Sequence, residues 1–199
     1  MWTIVIEAGG KSTRMGMDKA LMPFNGEPLI QRIIRRLDGV GDEMMIVANQ
    51  PEPYRMLGLR VVPDVIPGSG ALSGVHTALA CASHPFVIIT ACDLPFVNAH
   101  LIREAMRHLV EEDLDVVIPR TEQGLEPFHA VYRRETCLPA AESAIRDGYK
   151  RIISWFHHVR VLELPVENFR HLDPQGITFL NVNTPEEWRL AEELAAQGE

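Results

Sequence analysis

One stretch of the sequence concentrates the residue types needed to handle anions: Ala8-Gly9-Gly10-Lys11-Ser12-Thr13-Arg14-Met15-Gly16-Met17-Asp18-Lys19. Gly9 and Gly10 let the backbone turn sharply and bring bare amide hydrogens against a ligand, which suits polyphosphate oxygens. Arg14 can fork onto phosphate, and Lys19 supplies a compact positive charge. A second element, Ala91-Cys92-Asp93-Leu94-Pro95-Phe96, follows the apolar run Val87–Thr90, so Asp93 falls at the expected carboxyl end of a strand that Pro95 stops.

Familiar motifs do not account for the loop. A Walker sequence would need glycine where Val5 stands, and a dinucleotide fingerprint would need glycine where Lys11 stands. The later Gly68-Ser69-Gly70-Ala71-Leu72-Ser73-Gly74 is separated from any strand by Pro63 and Pro67. Read alone, the first loop is also a glycine-rich connection with surface cations, and Asp93 is also a turn former or helix cap. Histidine spacing offers no His-Glu-x-x-His zinc site, and no Gly-x-Ser-x-Gly elbow offers a nucleophile. Cys81, Cys92 and Cys137 are odd in number and widely spaced, which favours reduced, buried thiols over disulfides or a metal site.

These residues need a scaffold. Short, mostly unalternated apolar runs at Trp2–Glu7, Met44–Ala48, Phe86–Ala91, Val116–Ile118 and Phe128–Tyr132 predict strands buried on both faces. Helical patterns lie between them. Pro28 is expected at a first helical position, with Leu29, Ile30, Ile33, Ile34 and Leu37 on one stripe. Leu72–Ala82, Asn98–Val110 capped by Asn98, and Glu135–Arg146 follow, and Thr184-Pro185-Glu186-Glu187 opens a last helix through Ala195 with a capping box. Strands alternating with helices predict an α/β fold, a mostly parallel sheet with helices on both faces and ligands at the strands' carboxyl ends.

The 199 residues show no repeat, linker or composition shift, so one domain spanning 1–199 is expected. With 46% hydrophobic and 23% charged residues the chain reads as globular, and a net charge of −8 argues against a nucleic-acid partner. No run is long and apolar enough for a bilayer and the first residues lack signal-peptide character, so no membrane partner and a cytoplasmic address are expected.

The first loop, Pro63-Asp64, Gly70-Ala71-Leu72-Ser73-Gly74, Ala91–Phe96 and Phe179-Leu180-Asn181-Val182-Asn183-Thr184-Pro185-Glu186-Glu187 occur in a fixed order. Together they resemble the molybdenum cofactor guanylyltransferases, within the nucleoside-diphosphate-sugar transferase-like nucleotidyltransferases. The resemblance runs from the first strand to the last helix. It implies a Rossmann-like fold that transfers GMP from GTP to molybdopterin or Mo-molybdopterin, with Mg²⁺ and release of pyrophosphate. By motif position, Ala8, Gly9 and Gly10 would cradle base and phosphates, Lys19 would contact phosphate, Asp64 would help hold the nucleoside, and Asp93 would bind the metal. Arg14 would steady the leaving pyrophosphate, making Arg14, Lys19 and Asp93 the catalytic set. Asn181 and Asn183 would serve the acceptor side or complete the magnesium shell. The basic cluster Arg146, Lys150 and Arg151 could meet the acceptor's anionic end. Molybdoenzyme chaperones are implied as further partners.

Ala-Gly-Gly at the loop favours GTP, whereas cytidylyl-transferring relatives tend to carry Ala-Ala-Gly. The alternatives are a CTP-dependent enzyme, transfer to another small phosphorylated acceptor, or a non-catalytic nucleotide-binding module. One departure stands out: Glu7 occupies a position usually held by leucine. A carboxylate there would repel phosphate, so it is expected to accept hydrogen bonds from a guanine's ring nitrogen and amine.

Overall fold

The computed structural model describes residues 1–9 and 18–197. Strand β1, Trp2–Glu7, lies in the middle of the sheet with parallel neighbours on both sides. This explains why its apolar residues do not alternate with polar ones. The chain then makes a small antiparallel ribbon, β2 (Pro23–Phe24) and β3 (Glu27–Pro28), around Asn25-Gly26, whose φ values of 48° and 89° are those an Asn-Gly turn adopts most readily.

Helix α1 (Leu29–Arg36) leads to β4 (Glu43–Val47), and β5 (Arg60–Val62) extends the sheet outward. Helix α2 (Ala71–Cys81) crosses back to β6 (Phe86–Ala91) on the other side of β1. There follow α3 (Ala99–Glu111), β7 (Val116–Thr121), β8 (Gly124–Leu125), β9 (His129–Arg133), α4 (Arg134–Arg146), β10 (Val161–Pro165), α5 (Val166–Phe169) and α6 (Pro185–Ala196). The sheet order is β10-β7-β9-β6-β1-β4-β5, with β8 against β7. Its long pairings are parallel except those of β9, which runs antiparallel to both β6 and β7. The fold is Rossmann-like α/β, mostly parallel, with helices on both faces.

Two hydrophobic layers enclose the sheet. Ile4, Ile6 and Ile88 face Leu29, Ile33, Leu101 and Trp188 from α1, α3 and α6. Val5, Val87 and Ile89 face Leu72, Val75, Leu79 and Ala141 from α2 and α4. Burying each such side chain contributes roughly 1.5–3 kcal/mol, so the central strands form a stiff platform.

Several expectations shift by a residue or two. Pro28 does not open α1; it ends β3 opposite Pro23, while Leu29 N donates to Met22 O at 3.0 Å and starts the helix. The strand expected at Phe128–Tyr132 begins at His129, which releases Phe128 to line a cavity. Asn98 does cap α3, its side chain accepting from His100 N and Leu101 N, and the Thr184/Glu187 capping box on α6 is fully formed. No helix among the described residues is long and apolar enough to cross a membrane.

Candidate active site

The chain moves outward from β1 through β4 to β5 and then returns to β6, so the sheet order reverses between β1 and β6. Crevices outside strand carboxyl ends at such a reversal are where open α/β sheets bind ligands. Here the crevice is a cavity of about 870 Å³. Glu7 comes from the end of β1, Asn49 and Asp64 from just beyond β4 and β5, Asp93 from beyond β6, and Ser73 and Gly74 from the first turns of α2.

Lys19 enters from a single 3-10 turn, Lys19–Leu21. Asp18 holds that turn twice: Oδ1 accepts from Ala20 N at 3.1 Å, and Oδ2 accepts from the Tyr54 hydroxyl at 2.6 Å. The phenol's pKa is pushed well above its ordinary value by burial and by this hydrogen bond, so Tyr54 remains a donor. The turn delivers the Lys19 ammonium to 2.7 Å from Asn183 Oδ1 and 3.5 Å from Asp93 Oδ2. Lys19 is only 7% exposed.

Asp93 and Asn183, far apart in sequence, are tied through the backbone, because Val182 N donates to Asp93 O at 3.1 Å. Asn183 is also anchored by α6. Glu187 Oε2 accepts from Asn183 N at 2.7 Å and Thr184 N at 2.9 Å, while Thr184 Oγ1 accepts from Glu187 N. The capping box therefore stabilises a helix and fixes an active-site side chain. Glu187→Ala is expected to cost about 1 kcal/mol of stability and to lower turnover by loosening Asn183, with Glu187→Gln restoring most of both. Thermal melts alongside initial rates would check this.

Asp64 and Asn49 form a reciprocal pair: Asn49 Nδ2 donates to Asp64 Oδ2 and Asp64 N donates to Asn49 Oδ1, each at 3.0 Å. The sequence reading overlooked Asn49. Its signal was the one that found Asp93, a polar residue immediately after an apolar strand. Asp18 and Tyr54 were likewise missed as supports, since nothing in their spacing shows that they meet.

Glu7 is the most unusual member. Val5 and Glu7 point to the α2 side of β1, and the carboxyl lies against Gly74, where a Cβ would sit 2.3 Å from Oε2 and 2.7 Å from Oε1. Only glycine leaves that space unfilled. Oε1 is sealed from solvent and has no hydrogen-bond partner among the described residues. Burial, helped by the Asp64 charge, pushes the carboxyl up to about 8.

Of the expected site residues, Glu7, Ala8, Gly9, Lys19, Asp64, Asp93, Asn181 and Asn183 all line this one cavity. Gly10 and Arg14 lie outside the described residues. Arg146, Lys150 and Arg151 are exposed at and beyond the end of α4; Lys150 borders the cavity's glycine loop, 3.6 Å from where a Gly70 Cβ would be. No cluster of three or more His, Cys, Asp or Glu among the described residues could cage a metal by itself. A magnesium ion does not require one, because it binds through one or two carboxylates with waters and substrate phosphates, and Asp93 fits that role. A second cavity of about 420 Å³ opens at the start of α3, where Asn98 and Asp173 are already engaged by neighbouring groups. Asn98 donates to Leu172 O, and Asp173 accepts from Ile177 N and Thr178 N.

The arrangement can hold a polyanion at one end, against Lys19, and a neutral group at the other, beside Glu7. Comparison with known proteins agrees with that chemistry. The model of the MobA-like NTP transferase domain matches residues 4–161. The chain is 42% identical over 92% of its length to a probable molybdenum cofactor guanylyltransferase of Pelotomaculum thermopropionicum, covering 88% of that protein. It is 34% identical over 98% of its length to the molybdenum cofactor guanylyltransferase of Desulfosudis oleivorans, covering 96% of it. Among solved structures, molybdopterin-guanine dinucleotide biosynthesis protein A from Archaeoglobus fulgidus superposes with a TM-score of 0.84 at 25% identity, covering 98% of this chain and 99% of that one. A CMP:2-keto-3-deoxy-manno-octonic acid synthetase at 14% identity and a TM-score of 0.71 shares the fold. The chain belongs to the MobA-like NTP transferase family and is a nucleotidyltransferase.

Proposed function

We propose that this enzyme, as one nucleotidyltransferase domain over residues 1–199, transfers GMP from GTP to the phosphate of molybdopterin or Mo-molybdopterin and releases pyrophosphate. The observation that carries the reading is the junction of Lys19, Asp93 and Asn183 in the cavity at the β1/β6 reversal. The relatives' guanylyltransferase names and the Ala8-Gly9-Gly10 loop support GTP over CTP.

In this reaction an acceptor phosphate oxygen attacks the α-phosphorus, the bond to the bridging oxygen of the β-phosphate breaks, and negative charge moves onto pyrophosphate. Protein groups have little covalent work to do; alignment and fixed positive charge are what they supply. The buried Lys19 ammonium, held by Asn183 and Asp93, is pre-aimed at the phosphates and costs no reorganisation as charge develops. Gly9 lines the cavity and would offer its backbone amide to the triphosphate, and by motif position Gly10 would join it and Arg14 would steady the leaving pyrophosphate. Asp93 would hold Mg²⁺, which when bound adds positive charge shared with the phosphates. With Asn183 Oδ1 taken by Lys19, its amide NH₂ is left for a phosphate oxygen, and Asn181 flanks it on the acceptor side. The paired Asn49 and Asp64 sit on the nucleoside side.

The test is pyrophosphate release from purified molybdopterin with GTP and CTP side by side. Release with GTP, at least tenfold faster than with CTP, is expected. Preference for CTP, or activity with an unrelated phosphorylated acceptor but none with molybdopterin, would contradict the reading.

A further inference from the structure

We propose that Glu7 selects the base by accepting the two adjacent donors of guanine, N1–H and the N2 amine, on its two carboxylate oxygens. The inference rests on the reading of the cavity as a GTP site and deepens it.

The geometry comes first. Glu7 sits at the carboxyl end of β1, beside Ala8 and Gly9, and its side chain is turned away from the sheet face that packs on α1 and α3 and towards α2. The missing Cβ at Gly74 gives the carboxyl its place. A buried carboxyl oxygen without a partner costs free energy, and because Glu7 lines the ligand cavity, turning its carboxyl into that cavity would let a ligand donor satisfy it. The ionised carboxylate, the form that offers two acceptors, would repel phosphate. A nucleotide's only other donor-rich part is its base or sugar, and the sugar's hydroxyls do not distinguish bases.

The bases differ on this point. Guanine presents two donors side by side. Cytosine and adenine each place an amine next to an acceptor nitrogen, and uracil flanks its one N–H with carbonyls. Two carboxylate oxygens complement guanine and leave an acceptor facing an acceptor with each of the others. In its ionised form Glu7 therefore attracts guanine and penalises the other bases, whereas the neutral acid, with one donor and one acceptor, would match the edge of cytosine or adenine, so selection for guanine sharpens as the pH rises.

The proton follows from the surroundings. Among the described residues the titratable groups that line the cavity with Glu7 are Asp18, Lys19, Asp64, Cys92 and Asp93; helix α2 contributes none there. With burial and Asp64 holding the Glu7 carboxyl near pH 8, the empty site is mostly the neutral acid at pH 7. Two donors meet the ionised form, so binding lowers its pKa and expels the proton. The sign is fixed by linkage: affinity for GTP rises with pH as Glu7 ionises, until guanine begins to lose its own N1 proton.

Calorimetric titration of the wild-type enzyme with GTP, in buffers of differing ionisation enthalpy, measures this directly. Net proton release on GTP binding at pH 7, diminishing as the pH is raised towards about 8.5, is expected. ITP, which lacks the N2 amine but has the same triphosphate tail, is expected to bind at least tenfold more weakly. Glu7→Gln should fold at least as stably, because it removes an unpaired buried acid, and should bind GTP without releasing a proton. Equal proton release in the Glu7→Gln enzyme, no release by the wild type at pH 7, or ITP binding as tightly as GTP would overturn the assignment. Failure of GTP to bind at all would overturn it together with the proposed function, whereas binding without proton release overturns this inference alone.

Discussion

Asp93→Ala is expected to lower kcat/KM on the order of 1,000-fold, a barrier increase of several kcal/mol, while the protein stays folded. The Asp93 side chain is 24% exposed, and its described side-chain partner is Lys19 at 3.5 Å. A partly exposed ion pair contributes about 1 kcal/mol at most. Its backbone carbonyl, which accepts from Val182 N, survives the substitution, so the link to the Asn183 segment is kept. The melting temperature should move by no more than about 4 °C. Asp93→Asn should behave similarly, since an amide keeps the shape but gives up the charge that would hold the metal. A variant that melts far lower while its folded fraction turns over normally would assign Asp93 to folding instead.

Lys19→Ala is expected to cost on the order of 100- to 1,000-fold in kcat, with a smaller effect on GTP affinity. The asymmetry is the informative part. A fixed charge aimed at the departing phosphates does more as charge builds there than it does for the bound substrate. Removing the ammonium exposes Asn183 Oδ1 and Asp93 to the open cavity, where water can replace it, so stability should change by about 1–2 kcal/mol. Lys19→Arg is expected to restore only part of the rate, because a planar guanidinium does not fit a slot shaped around one nitrogen that is 2.7 Å from Asn183. Equal losses in kcat and in GTP affinity would mean that Lys19 only binds the nucleotide.

What the sequence reveals depends on how locally each feature is determined. Trp2–Glu7 and Phe86–Ala91 were legible to the residue, because central parallel strands are unbroken apolar runs closed by glycine or by Asp-x-Pro. Asn98 and Thr184-x-x-Glu187 were legible because a cap is made within four residues. The direction of β9 was not, since neither its composition nor its length tells whether it runs with or against β6. Strand β10 was missed altogether: it is a short edge strand whose apolar residues are interrupted by Glu163, which pairs with Arg120, and closed by a proline, so it lacks the unbroken apolar run of the central strands.

The site divides the same way. Asp93, Asp64 and Lys19 could be picked out from motifs, but their distances could not. Asn49 pairs with Asp64 only because β4 and β5 end side by side. Tyr54 supports Lys19 only because Asp18 lies between them. Glu7 looked misplaced in a phosphate loop; the gap at Gly74 gives it a position away from the phosphates. Its titration also needed the structure, since burial and the neighbouring Asp64 push the carboxyl up to about 8.

On the proposed function, the cavity at the β1/β6 reversal takes the nucleotide with its phosphates on Lys19 and a divalent ion on Asp93. Crystals grown with GTP and Mn²⁺ test it most directly, because manganese is located by its anomalous scattering. The prediction is a manganese peak on an Asp93 oxygen, with the triphosphate beside Lys19 and the guanine against Glu7. Nucleotide in the cavity at the start of α3, or manganese bound away from Asp93, would contradict it.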